Sequence, residues 1–317
     1  MQLAKPAPLF VFPQVQLPPR VAICLNPQAG RGLVRARMQA ARSALWGYEI
    51  EWAVPSSLNA YLDWLENLNL DRLRAVVIVG GDGSINRALP LIVRRGIPLI
   101  SFPAGTANDL ADEVGWKADW SRLQGVLDQG REKIHDLIEV NGVPFATVGG
   151  TGIGSHLLTE FNRVRESSPW LRRRLAPLQD QIYTLLTVKT LLLNRDYWQR
   201  LTIKTRGFHE TLKVAALFVC NQRRLGGDMM ISDRSSPADG RMEVVILTPE
   251  NRIELLEALM NFKTGRLPSG AIHLSQAQLT LEEPRGRPIR FFGDGEILVE
   301  SSRLELCVAP GALRLRV

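Results

Sequence analysis

Three glycine-rich loops, each placed directly after a run of apolar residues, constrain this chain more than any other feature. NPQAGRG (26–32) follows the run at 21–26, GGDGSIN (80–86) follows AVVIV at 75–79, and PAGTANDL (103–110) follows PLISF at 98–102. An unbroken apolar run, rather than an alternating one, marks a strand buried on both faces. Helical spacing follows at 31–46, 58–67, 85–95, 106–114 and 120–129, and a strand-like alternation lies at 48–54. The β-α-β-α order of the first 140 residues predicts an open parallel sheet with helices on both faces. Ligands of such sheets bind beyond the carboxyl ends of the strands, so all three loops belong to one edge. Each loop opens a helix, whose free N–H groups face an anion, and small residues let the backbone approach a phosphate. Ser84, Thr106 and Asn108 add side-chain donors, and Asp82 places an acid at the end of a buried strand.

Beyond about residue 140 strands dominate, at 145–148, 197–204, 212–220, 243–247, 279–281, 289–292 and 304–308, with helical segments at 176–193 and 252–260. This predicts a mostly antiparallel β-sandwich domain with helices. A chain of 317 residues is long for one core, and two domains are the better expectation. The division predicted is a poorly ordered, Pro-rich leader at 1–20, an α/β domain at 21–140 and a β-rich domain at 141–300. No apolar run reaches the ~18 residues that a spanning helix needs. The nearest, 183–193, is cut by Lys189, so the chain is not expected to cross a membrane. Cys24, Cys220 and Cys307 sit in separate apolar runs without CxxC spacing, which fits free thiols in a reducing cytoplasm.

The net charge of +7 points to an anionic partner. Residues 160–224 hold 13 Lys/Arg against 5 Asp/Glu, a local net of +8, so the remainder is close to neutral. Aromatic residues are only 7% and no recognition-helix, zinc-finger or RNA-motif signature occurs, which argues against nucleic acid. There is no GxxxxGK[ST], no HRD or DFG set, and no GxGxxG with the required context. P-loop, protein-kinase and dinucleotide-binding chemistry are thereby excluded. GGTGIG at 149–154 has the wrong spacing and reads as a strand and turn at the domain boundary. The four histidines are far apart and lack metal-site spacing. GDGE at 293–296 follows the strand IRFF; its two carboxylates suit metal coordination or general-base work, but taken alone the segment reads first as a type I′ hairpin turn with solvated acids.

With these residues laid out, the chain resembles the diacylglycerol kinase catalytic-domain family of soluble bacterial lipid kinases, related to the sphingosine kinases. The resemblance spans about 21–317 and is carried by NPQAGRG, GGDGSINRAL, PAGTANDLA, the GG…DG segment at 226–240 and GDGE. It implies ATP and Mg²⁺ between two domains, with transfer of the γ-phosphate to a lipid hydroxyl such as that of diacylglycerol. Asn26, Gly30, Gly32, Gly80, Gly81, Gly83, Ser84, Gly105, Thr106, Asn108 and Asp294 would line the nucleotide site. Asp82 would stand beside the triphosphate and its Mg²⁺, with Asp136 in the same metal network, and Glu296 would be the general base. A second, structural Mg²⁺ would take Asp239 and the backbone carbonyls of Ser236 and Arg241. Position 84 is Ser where the family has Thr, and Asp228, Ser232 and Asp233 intrude on the second-domain pattern. The last segment, 301–317, is expected to return to the first domain.

A lipid kinase meets its substrate at an interface. Arg172, Arg173 and Arg174 beside Trp170, with the helical segment 176–193, form the candidate contact with an anionic membrane surface. A strand edge of the second domain would suit a homodimer. An NAD kinase-like enzyme and a catalytically silent lipid- or nucleotide-binding regulator are the alternative readings.

Overall fold

The computed structural model describes residues 17–27, 29, 33–167, 198–226 and 229–317, with backbone alone over 161–167. The candidate membrane segment, the leader up to residue 16, and Gly30 and Gly32 lie outside these residues. Strands β1 (Arg20–Leu25), β2 (Glu49–Ala53), β3 (Leu73–Gly80) and β4 (Leu99–Pro103) pair in parallel in the order β2-β1-β3-β4. The continuous apolar runs now have their cause, because alternate side chains feed two cores. Ala22, Cys24, Val76 and Ile78 pack with Tyr61 and Leu65 of α2 (Leu58–Asn67) and Leu89 and Ile92 of α3 (Asp82–Arg94). Val21, Ile23, Leu25, Val77 and Val79 pack with Ala41 of α1 (Val34–Ala44) and Leu123 and Leu127 of α5 (Leu123–Gln129). Each large side chain buried this way contributes ~1.5–3 kcal/mol. Ser57 caps α2 by accepting the Ala60 N–H at 3.1 Å. By contrast α3 is capped by Gly81, which offers no side-chain acceptor, and its first N–H groups face the strand ends.

One strand joins the two halves. β18 (Arg303–Arg316) pairs antiparallel with β5 (Glu132–Val140) along most of its length. Its end meets β4 in parallel at Leu315↔Leu99, while its beginning pairs antiparallel with β15 (Gln278–Glu282). A register shift between Ala309 and Leu313 separates these uses. The parallel sheet thus runs on into an antiparallel one that includes β6 (Val143–Phe145), β8 (Gln199–Thr205) and β9 (Phe208–Val214). A second, antiparallel sheet has the order β14 (Ile272–Gln276), β13 (Met242–Leu247), β10 (Ala216–Cys220), β7 (Val148–Gly152), β16 (Ile289–Gly293), β17 (Glu296–Ser301). Ile138, Phe145, Leu281 and Leu304 of the first sheet meet Leu217, Val244 and Phe291 of the second, which makes the sandwich. α7 (Arg252–Lys263) covers the outer face of the second sheet with Leu255 and Phe262 against Phe218 and Val245. A short ribbon, β11 (Arg224–Leu225) with β12 (Met229–Met230), stands apart.

The two-domain α/β reading of the fold holds, with differences of detail. Helix 106–114 reduces to α4 (Asp109–Glu113), because Asn108 adopts a left-handed conformation at φ 59°. Segment 120–129 begins as a 3-10 turn at Trp120–Arg122. Segment 212–220 is two strands, broken at Ala215. GGTGIG provides β7, the strand between β10 and β16, followed by α6 (Ile153–Ser167). There a Cβ at Gly150 would lie 2.2 Å from the Leu217 carbonyl oxygen, so close strand packing accounts for the glycine.

Candidate functional site

The three glycine-rich loops come together at the carboxyl ends of β1, β3 and β4. A Cβ at Gly105 would lie 2.3 Å from the Gly81 Cα, so two backbones meet with no room for a side chain. The Ala104 N–H donates to Gly80 O at 2.9 Å across the same contact. Asn26 Nδ2 donates to Ser84 Oγ at 2.9 Å, and Asn108 Oδ1 accepts the Gly105 N–H at 2.8 Å. Arg37 of α1 donates to Ala29 O at 3.0 Å and so braces the first loop, a part the sequence reading did not assign. Thr106 stands exposed at the edge of this group. The result is an edge of close backbone beside the half-buried N-terminus of α3.

Asp82 is the first residue of α3. Its Oδ1 accepts the Leu110 N–H of α4 at 3.4 Å. Burial raises its carboxyl to about 7, the negative charges of Asp109 and Asp294 add to this, and the backbone N–H groups of Leu110 and Asp109 oppose it. Among the described residues no Lys or Arg forms an ion pair with Asp82. Asp109, which the sequence reading passed over inside PAGTANDLA, is buried and its Oδ2 accepts the Gly226 N–H at 2.9 Å. That bond crosses from the loop after β4 to the GG segment of the second domain. Its only sequence signal was a second acid one residue after Asn108.

The GDGE segment is the turn of the β16–β17 hairpin. Asp294 and Gly295 both have positive φ, 51° and 75°, as a type I′ turn requires. The turn reading is therefore right and the solvated-acid reading is not, because Asp294 is 5% exposed. Its Oδ1 accepts Thr147 Oγ1 at 2.7 Å, Thr147 N at 2.8 Å and Ala146 N at 3.1 Å; Oδ2 accepts Asn86 Nδ2 at 2.9 Å and Ala146 N at 3.0 Å. Asp294, expected at the nucleotide site, thus has its carboxylate bonded to internal donors, and its charge still acts on Asp82. Glu296 points the other way. A Cβ at Gly83 would lie 2.6 Å from its Oε1, and Arg87 stands 3.7 Å from the same atom. Glu296 therefore faces the N-terminal turn of α3, although 213 residues separate it from Gly83.

The remaining acids are Asp136 and Asp239. Both oxygens of Asp136 accept backbone N–H groups, Gly311 to Oδ1 and Gly240 to Oδ2, each at 2.7 Å. This buried carboxylate, expected in the metal network, ties β5 to the shifted register of β18 and to the 236–240 loop. Asp239 is exposed and its Oδ1 accepts the Arg241 N–H at 3.0 Å, while the Arg241 guanidinium binds Ser275. Ser236, expected to offer its backbone carbonyl, lies three residues before Asp239 in the same loop. Among the described residues no group of three or more His, Cys, Asp or Glu converges as a metal site. A site of one carboxylate and two backbone carbonyls, as expected at Asp239, is not of that kind. Asp82 differs, since its charge lacks a cationic partner and its surroundings are already negative. Mg²⁺ commonly takes one or two carboxylates and completes its shell with phosphate and water, so the residues present fit that ion.

Residues 20–140 match the family model of the diacylglycerol kinase catalytic domain, and residues 163–317 match the YegS C-terminal NAD kinase beta sandwich-like domain. A probable lipid kinase, YegS-like, of Klebsiella pneumoniae is 28% identical over 262 residues, covering 81% of each chain. A diacylglycerol kinase of Mycobacterium tuberculosis is 29% identical over 252 residues, covering 76% of each. Among solved structures, a diacylglycerol kinase of Bacillus anthracis superposes with a TM-score of 0.64 at 14% identity, covering 94% of this chain and 96% of that one. No helix of the described residues is long and apolar enough to cross a membrane.

Proposed function

This chain belongs to the diacylglycerol kinase catalytic-domain family, and from that membership we propose that it is a lipid kinase, moving the γ-phosphate of ATP to the hydroxyl of a lipid such as diacylglycerol. The observation that carries the reading is Glu296 set against Gly83 at the N-terminus of α3. A carboxylate from one domain faces the phosphate-binding edge of the other, which is the arrangement an in-line transfer to a hydroxyl needs.

In this reading the N–H groups of Gly81 and Gly83 and the loops around Asn26, Gly105 and Thr106 hold the triphosphate. Ser84 is held by Asn26 and orients that edge. Asp82, with Asp109 behind it, would hold Mg²⁺, which neutralises phosphate charge when bound. Glu296 accepts the proton of the lipid hydroxyl as its oxygen approaches phosphorus. Arg87, 3.7 Å from Glu296, would lie close enough to the transferred group to offset charge that develops on it. The Asp109–Gly226 bond spans the cleft and suits a closure that excludes water. Contact with an anionic membrane surface through the basic 163–174 segment belongs to the same proposal.

The test is an acceptor panel. Purified protein is given labelled ATP, Mg²⁺ and mixed micelles of total lipid extract, with NAD as a separate acceptor because the second family model names an NAD kinase-like sandwich. Labelled lipid, identified by mass, is the expected product. Labelled NADP with unlabelled lipid would replace this reading with the NAD kinase one. Neither product, with ATP still bound, would leave a silent binder.

A further inference from the structure

Asn86 makes the bond that joins the hairpin turn to α3. It is 8% exposed, one helical turn after Gly83 and next to Arg87. Residues three and four apart share a helix face, so Gly83, Asn86 and Arg87 present one surface. The hairpin meets that surface at matched points: Glu296 against Gly83 and Arg87, Asp294 against Asn86. Of the donors to Asp294, those from Ala146 and Thr147 belong to the same domain as the hairpin. Among the described residues only Asn86 Nδ2, at 2.9 Å, reaches it from α3.

We propose that Asn86 is a positioning residue, whose amide holds the Asp294 turn in register with α3 and so sets where the Glu296 carboxylate stands. A two-residue turn leaves little freedom between Asp294 and the first residue of β17, so holding one places the other. The Ala146 and Thr147 bonds keep the hairpin folded on its own domain without Asn86. Loss of the Asn86 bond therefore releases the orientation of the hairpin relative to α3 and leaves the sandwich intact. This inference rests on Glu296 acting as the base.

The test compares Asn86→Ser, which deletes the donor, Asn86→Asp, which sets two carboxylates face to face, and Asn86→Asp combined with Asp294→Asn. In the double variant the carbonyl oxygen introduced at position 294 keeps both Thr147 donors and the 3.1 Å bond from Ala146, while the 3.0 Å bond from Ala146 to the other oxygen is lost. The amide nitrogen beside it donates to the carboxylate introduced at position 86, so the bond is restored with its polarity reversed. At saturating ATP, Asn86→Asp is expected to lower lipid phosphorylation by ~100-fold and Asn86→Ser by ~10-fold, the scale of a 1 Å misplacement. KM for ATP stays within about twofold of the parent, since binding groups held in place leave ground-state affinity unchanged. The double variant recovers most of the loss. In parallel, amide hydrogen exchange at 293–297 quickens in both single variants and slows again in the double one, and this arm needs no turnover. A double variant no better than Asn86→Asp, or a loss confined to KM or to melting temperature, would overturn the proposal; Asn86→Ser keeps the test open should Asn86→Asp not fold. If the parent protein phosphorylates no lipid, the kinase reading fails and the exchange arm alone decides the positioning claim.

Discussion

Asp82 and Asp294 are both enclosed carboxylates, one on each side of the cleft, and both are pushed up by burial. Their surroundings are opposite. Asp294 has donors on both oxygens, from two backbone groups, a hydroxyl and an amide. Asp82 has only the backbone N–H groups of Leu110, at 3.4 Å, and Asp109 opposing two negative neighbours. A buried charge costs free energy unless it is bonded or paired. Asp294 is a completed structural group. Asp82 has no comparable set of donors, and in the proposed reading a bound cation would offset its charge. The hairpin side of the site is thus held by the protein's own bonds, and in the proposed reading Mg²⁺ and ATP would complete the strand-end side.

Breaking either side sharpens this contrast, and the largest effect belongs to the base. Glu296→Gln is expected to reduce phosphate transfer by ~1000-fold, in the range general bases contribute. ATP affinity measured by calorimetry should not change. A comparable loss of ATP binding would move Glu296 out of the acceptor side.

Asp82→Asn comes next, with effects of opposite sign on activity and stability. Transfer falls by ~100-fold or more as the cation loses its carboxylate. The folded pKa, near 7, lies above the ordinary carboxylate value of 3.8, so between those values the native state holds more protons than the unfolded chain. Stability of the parent then falls as pH rises through that window. In chelator, the stability gain of Asp82→Asn should be nil below about pH 4, grow towards pH 7 and stay constant above. Thermal melts across this range check it, and a gain independent of pH would contradict it.

Asp136→Ala tests the bracing acids. It leaves the Gly240 and Gly311 N–H groups without their acceptor and should cost about 3 kcal/mol in denaturant unfolding. The smallest effect is expected from Arg37→Ala, which frees the Ala29 carbonyl and should raise KM for ATP ~3-fold, a loss of under ~1 kcal/mol of positioning.

Much of this site was legible in the sequence itself, because its chemistry sits in local motifs. AVVIV followed by GGDG specifies a buried strand, a tight turn and a helix start within a short stretch of chain. The helix at 58–67 was readable from its spacing, and Ser57 caps it. What stayed hidden depends on contacts far apart in the chain. β5 mixes charged and apolar residues in EKIHDLIEV, and its strand character comes from β18, which arrives some 170 residues later. Asp109 acquires meaning only beside Gly226, and Asp294 only beside Asn86 and Thr147. A polar residue next to glycine reads as solvated in any sequence; burial of that residue is a tertiary fact.

Calorimetric titration of ATP with and without Mg²⁺, on the parent, Asp82→Asn and Glu296→Gln, tests the division between the two sides most directly. The account predicts that Mg²⁺ strengthens ATP binding to the parent and to Glu296→Gln alike, and that this gain disappears in Asp82→Asn. An unchanged Mg²⁺ gain in Asp82→Asn, or its loss in Glu296→Gln, would contradict it.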